Sequence, residues 1–377
     1  MTKIEWAHAG LGQGETWNPI RANNDPMGSP TRIGWHCEKV SPACANCYAE
    51  RQNMAGARGG TRYPYKAAHR KNGSIQVYLD EKTLLAPLRW KTPRGIFVCS
   101  MTDVFGDWVL DEWLDKIFAV AALCPQHIFI FLTKRPKRMR EYVNTYARFA
   151  RILEARVSLP NFDHALPKNW PLPNIWFGVT AEDQQRANER IPDLLGTPAA
   201  IRFVSCEPLL GAVDLRRINF QPNLWIDCID RNWPERFAQF GAGRGLDLVI
   251  TGGETGPGAR PTHIDWERSI RNQCAAADVA YFRKQIGEWK AVCEMSQEEI
   301  DACYHPAPES APDATRRAKV RSIVMHRDGA VFDNPIASGA FEGGKGAMTM
   351  FRVGRRRAGH LLDGKAHHEF PDYERRR

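Results

Sequence analysis

Three cysteines stand close together in the segment Trp35-His36-Cys37-Glu38-Lys39-Val40-Ser41-Pro42-Ala43-Cys44-Ala45-Asn46-Cys47-Tyr48-Ala49. The spacing is C-x6-C-x2-C, on a loop that precedes a helix expected from about Asn46 to Met54 and closed by Gly56, Gly59 and Gly60. Thiolates are the ligands of iron–sulfur clusters, and a helix N-terminus favours the deprotonated thiol. Three cysteines hold a cubane cluster and leave one iron open to substrate or cofactor. A structural zinc site is the competing reading, with His36 or a distant cysteine as fourth ligand. No second C-x2-C or H-x3-H pair is present, and Cys293 and Cys303 qualify only if the chain folds back. The plainest alternative is three unligated cysteines. The other seven cysteines are scattered, mostly among apolar neighbours, and read as small buried hydrophobes.

These thiols need a scaffold, and the sequence beyond residue 95 supplies one. Five short runs are nearly continuous in apolar character: Ile96–Ser100, Ile128–Leu132, Ile175–Val179, Ile201–Ser205 and Leu246–Ile250. Such runs suit strands of a parallel sheet buried on both faces. Amphipathic stretches at 111–123, 137–155, 182–195 and 265–277 alternate with them, as helices do in βα architectures. A strand near Trp17 makes about six, and Val279–Arg283 offers one more. The region 288–320 reads as an excursion or linker. Ser322–Phe332 reads as a hairpin around Asp328-Gly329, and 351–377 as a basic C-terminal segment.

Ligands in such folds gather at the C-terminal strand ends. Those ends carry Asp103, then Lys134 and Arg135, then Glu182, then Glu207, and finally Gly252, Gly253 and Glu254. Glu182 and Asp183 are expected as helix-capping residues. Lys134 and Arg135 resist that reading, because cations are unfavourable at a helix N-terminus, so an anion-binding role is expected. Gly252-Gly253 would let backbone N–H groups approach a ligand.

The chain has 377 residues and a net charge of +9. Its N-terminus lacks a signal-peptide pattern and no run spans a bilayer, so a cytoplasmic protein without membrane contact is expected. The basic excess and twelve Trp favour an anionic partner such as nucleic acid or a nucleotide.

The cysteine loop with about six βα units resembles the radical S-adenosylmethionine (radical SAM) enzymes. More closely, the chain resembles a radical-SAM-like family of three-cysteine-motif proteins associated with phages and mobile elements. The matching pieces are Thr16-Trp17-Asn18-Pro19, Cys37 to Ala49, Ser100 to Phe105, Leu132 to Pro136, Gly178 to Glu182, Ser205 to Leu209, Gly252 to Gly256 and Gly359 to Gly364. The first cysteine spacing is longer than the C-x3-C-x2-C of most radical SAM enzymes, and Gly252-Gly253-Glu254 follows a late strand rather than the second.

The resemblance implies a partial (β/α)6 TIM-like barrel of the radical SAM type over 1–287, including the cysteine loop 35–49. A linker, hairpin and basic C-terminal segment over 288–377 would pack on it. It implies a [4Fe–4S] cluster on Cys37, Cys44 and Cys47, S-adenosylmethionine as cofactor, and an electron donor such as flavodoxin or ferredoxin, with room for a partner protein. Asp103 would take the SAM amine, and Lys134 or Arg135 its carboxylate or a substrate phosphate. Glu182 would meet the ribose hydroxyls, and Glu207, Gly252, Gly253 and Glu254 would face the cavity, with Arg260 as a further anion contact. The expected function is reductive SAM cleavage that starts radical chemistry on a nucleic-acid or nucleotide substrate. The alternative is a non-catalytic nucleic-acid-binding protein with a structural zinc or iron–sulfur site.

Overall fold

The computed structural model describes residues 4–24, 32–56, 59–145, 147–160, 170–221, 223–230, 245–306 and 316–372. The apolar runs form a seven-stranded, all-parallel sheet that curls into a half-barrel. Its strands are β1 (Gly14–Trp17), β2 (Gly95–Val98), β3 (Ile128–Thr133), β4 (Ile175–Thr180), β5 (Ile201–Cys206), β6 (Leu248–Gly252) and β7 (Ala280–Gln285), adjacent in that order. The run at Val279 is therefore a full strand. Every residue of β4, β5 and β6 is buried, which explains why these segments lack polar alternation.

Two apolar layers enclose the sheet. On the outer face, Val98, Phe131, Phe177, Val204 and Val249 pack beneath helices. α1 (Tyr48–Ala55) packs apart from this layer, its Ala49 against Trp35, Tyr65 and Met101; the covering helices include α2 (Asp111–Leu123), α3 (Pro136–Asn144), α4 (Arg148–Val157), α5 (Gln184–Leu195) and α6 (Ile264–Ala276). The amphipathic stretch 137–155 thus divides into α3 and α4. On the concave face, Phe97, Ile130, Trp176, Phe203, Ile250 and Phe282 gather around Trp6. Trp6 lies on a 3-10 turn, Glu5–His8, and its ring is 4.8 Å from Phe97 and 6.1 Å from Phe203. Gly95 makes this plug possible: a Cβ there would sit 2.0 Å from the Ala7 carbonyl oxygen.

A second sheet follows the half-barrel. Lys290–Ala291, Met348–Phe351, Ser322–Met325 and Val331–Phe332 lie antiparallel in that order. The expected hairpin is its right half, turning at Gly329 with φ of 96°. The stretch 288–320 contains a short helix, Gln297–Asp301, closed by a reciprocal Ser296–Glu299 capping box; 307–315 lie outside the described residues, as do Arg375–Arg377. The C-terminal segment returns to the half-barrel and covers its last edge. Arg283 N–H donates to the His367 carbonyl, Phe282 bridges to His368, and Phe370 reaches the His8 ring. Among the described residues no helix is long and apolar enough to cross a membrane.

Candidate functional site: a cysteine loop seated on the strand ends

The cysteine loop lies across the C-terminal strand ends, held by contacts to four of them. From the β2 end, the Thr102 hydroxyl donates to the His36 carbonyl. Beyond β3, Arg135 Nη2 donates to the Glu38 carbonyl at 3.0 Å. After β4, Glu182 Oε1 accepts the Ala43 N–H at 3.4 Å. After β6, Glu254 Oε2 accepts Asn46 Nδ2 at 2.8 Å, and Arg260 Nη2 donates to the Pro42 carbonyl at 3.0 Å. Arg51 on α1 adds bonds to the Asn46 and Thr255 carbonyls. The helix after the loop begins at Tyr48, with Cys47 at its N-cap, and ends in the left-handed Gly56.

Three of the expected ligand carboxylates are consumed by this work. Asp103 accepts the Phe105 and Lys134 N–H groups, the Thr133 hydroxyl and Arg135 Nη1, all within 2.7–3.1 Å. Glu182 is fully buried and paired with Arg190 Nη1 at 2.9 Å. Burial pushes its carboxyl up, but Arg190, Ser41 and Lys134 outweigh that and hold it below the usual range. Glu182 is therefore an anchor within the fold, while the N-cap of α5 is Asp183, whose side chain accepts the Arg186 N–H at 2.9 Å. Glu254 takes three bonds from Arg260 in addition to Asn46. Burial again opposes ionisation, and the Arg260 and Asn46 bonds bring this carboxyl below its ordinary value.

Arg135 and Lys134 part company. The Arg135 guanidinium is committed to Asp103 and Glu38 and stacks 4.7 Å from the Trp108 ring. The Lys134 ammonium has no hydrogen bond or ion pair among the described residues. It lines a cleft of about 920 Å³ beside α3 that also includes Val40 of the cysteine loop, Arg138 and Glu189. Burial pushes the Cys44 thiol up, yet Lys134 and bonds from Val40 and Ser41 bring it below its ordinary value. Cys37 goes the other way: burial, reinforced by Asp103, pushes its thiol up to about 12.

None of the three cysteines is in a disulfide. Cys37 and Cys47 share a small apolar cluster with Trp35, Ala49, Tyr65 and Met101. Among the described residues no three His, Cys, Asp or Glu side chains are grouped as a metal site. The donor chemistry still suits a cluster: three free thiols on one anchored loop, with the buried Trp35 Nε1 and His36 Nδ1 lacking hydrogen-bond partners. Zinc gains no fourth ligand from the distant pair, because Cys293 and Cys303 lie by the second sheet, Cys293 near Arg268 and Cys303 bonded to the Glu299 carbonyl.

Two residues at the mouth lie outside the set of site residues expected from the sequence. Lys284, near the end of β7, pairs with Glu207 at 2.5 Å. Asn46 joins the cysteine loop to both Glu254 and the Gly258 carbonyl. Gly252 lies beside Glu207, where a Cβ would approach the carboxylate carbon to 3.2 Å; Gly253 packs on the Ile286 carbonyl.

The fold and the loop together define an α/β protein whose parallel half-barrel presents a three-cysteine loop at its C-terminal mouth. A family model described as "Protein of unknown function (DUF5131)" matches residues 1–371, and the chain belongs to that family. No curated protein and no solved structure matches it.

Proposed function

We propose that the protein is a radical-SAM-like iron–sulfur enzyme, with Cys37, Cys44 and Cys47 as the ligands of a [4Fe–4S] cluster. One observation carries this reading: three free thiols lie on a single loop that four strand ends of a parallel half-barrel hold in place. A cluster so bound would supply an electron to cleave the sulfonium of S-adenosylmethionine, and the radical chemistry would be the cofactor's own. The chain's part is placement. Lys134 favours the Cys44 thiolate, which metal ligation requires. Glu182, Glu254 and Arg260 keep the loop backbone in register with the strand ends. The concave layer around Trp6 closes the far end of the half-barrel against water.

An anionic substrate, a nucleotide or nucleic acid, is the reading that the charge supports. The net charge is +9, and Arg355, Arg356 and Arg357 are exposed together on one short helix. Loss of cluster iron in a Cys44→Ala protein, with a folded circular dichroism spectrum, is the expected outcome of the direct test. Full iron retention in that variant would remove Cys44 from the ligand set. A SAM-cleavage assay with a chemical reductant then follows on the wild-type protein. One tightly bound zinc and no colour would instead favour a structural metal site in a nucleic-acid-binding protein.

A further inference from the structure

The cations of the chain are unevenly placed. Residues 51–79 hold six Lys and Arg and no Asp or Glu, whereas the whole chain has 52 of the first kind and 43 of the second. The described residues of this stretch supply most of α1, a short helix (Ala67–Lys71) and one edge, Gln76–Leu79, of a small antiparallel sheet. The middle strand of that sheet is Ile20–Asn23 and the far edge is Ile33–Gly34. Arg32 leads into the far edge, Arg62 follows α1, and the two meet at Gly56, which caps the C-terminus of α1. A Cβ on Gly56 would lie 3.2 Å from Arg62 Nε and 3.9 Å from Arg32 Nη1, so the two guanidinium groups stand together. Neither guanidinium has a hydrogen bond or ion pair among the described residues. A helix C-terminus attracts cations, which offsets part of their mutual repulsion but gives neither a carboxylate. Arg62 is held at a φ of 62°, uncommon for a non-glycine residue, by its N–H bond to the Asn53 carbonyl at 3.2 Å. Strain of this kind collects at ligand-binding positions when neighbours fix it. The acids beside this stretch, Glu38 and Glu50, are already paired with Arg70 and Lys39. Lys66 and Lys71 are exposed and have no partner among the described residues.

Aromatic side chains lie among these cations. Tyr63 and His69 are half-buried, with their rings 5.0 Å apart. Tyr65, between them in sequence, packs with Cys37 and Cys47, so the basic face adjoins the cysteine loop. A single small anion would satisfy one or two of the unpaired cations. Cations strung along one segment and interleaved with rings instead match a polymer that carries a charge at every repeat and a flat base between charges. Stacking on a side chain needs bases that are not already stacked in a duplex. We propose that this acid-free face binds single-stranded nucleic acid, with Arg32, Arg62 and Lys66 on its phosphates and the Tyr63–His69 pair against a base. The inference deepens the nucleic-acid reading given above, and rests on it for the strand's role as substrate of the adjoining loop.

Fluorescence anisotropy of a labelled single-stranded DNA of about 20 nucleotides, titrated with the full-length protein at several salt concentrations, tests the surface. Wild type is expected to bind, and to bind more weakly as salt rises. Replacing both arginines, Arg32→Gln with Arg62→Gln, should weaken binding at least about tenfold and make the salt slope shallower by about one to two. Lys66→Gln should act in the same direction, and as an exposed change it decides the matter if the double variant fails to fold. A control that also removes two exposed cations, Arg321→Gln with Lys345→Gln on the second sheet, should stay within about twofold of wild type. RNA of the same sequence identifies the strand: the tighter binder of the two is the one the face is built for. Absent or salt-insensitive binding, equal binding of duplex DNA, or unchanged affinity in the folded variants would overturn the proposal. So would an equal loss in the control, which would reduce the effect to net charge, or equally tight binding of phosphatidylglycerol vesicles. Iron content reports separately on the cysteines: protein with a cluster that binds no strand defeats the surface, and iron-free protein that binds through Arg32 and Arg62 defeats the cluster.

Discussion

The two ends of the half-barrel are built from opposite materials. At the N-terminal end Trp6 is inserted among Phe97, Phe203 and their neighbours, and the space is filled by apolar atoms. At the C-terminal end the strands finish in carboxylates, arginines and lysines, and the space is bridged by a loop held through ion pairs and hydrogen bonds. Close packing makes the first end a source of stability. The second end spends charge on holding one loop, as a site does when its backbone must be placed accurately. Substitutions at the two ends should therefore fail differently.

The largest effect is expected at the polar end. Arg190→Met leaves Glu182 buried without its counter-ion, and loss of such a partner costs about 3–5 kcal/mol. Urea denaturation should show that loss, together with faster alkylation of Cys44 as the Ala43 bond to Glu182 loosens. Trp6→Ala at the other end should cost about 3 kcal/mol by opening a cavity, with no change in Cys44 alkylation below the unfolding midpoint. If both variants loosened the cysteine loop equally, the division between the ends would be lost.

Glu254→Gln comes next. It removes the charge that Arg260 and Asn46 share, at an expected cost of about 1–3 kcal/mol. Its pH dependence has a definite sign. The folded-state pKa of Glu254 lies below the ordinary value, so its contribution is fully present above the usual carboxylate range and is lost as pH falls through the lower folded value. Melting curves should thus separate wild type from Glu254→Gln near pH 7 and bring them together in acid. A gap that persisted or widened in acid would contradict the assignment. The smallest effect belongs to the exposed Arg321–Asp333 pair on the second sheet, where Asp333→Asn should change stability by no more than about 1 kcal/mol.

Much of the scaffold is written in local pattern. The runs at Ile128, Ile175 and Ile201 start β3, β4 and β5 at the same residues, and 111–123 is α2, because buried parallel strands and their covering helices impose a continuous local signal. The cysteine loop was legible for a similar reason, its chemistry being packed into eleven residues. What the strand-end charges do was harder to read. Arg190 lies eight residues from Glu182, and Lys284 lies 77 from Glu207. Neither partner has a motif: Arg190 reaches back to Glu182 from the second turn of α5, and Lys284 meets Glu207 because β5 and β7 flank β6. The split of 137–155 into α3 and α4 was hidden because the chain breaks near Thr145 without a glycine or proline to mark it.

The central claim is that the anchored thiols hold an iron–sulfur cluster. Its most direct test is metal and sulfide analysis, with a visible absorption spectrum, on protein purified without oxygen. The account predicts about four irons and four sulfides per chain with broad absorbance near ~400 nm. Colourless protein that stays free of iron after anaerobic reconstitution with iron and sulfide would contradict it.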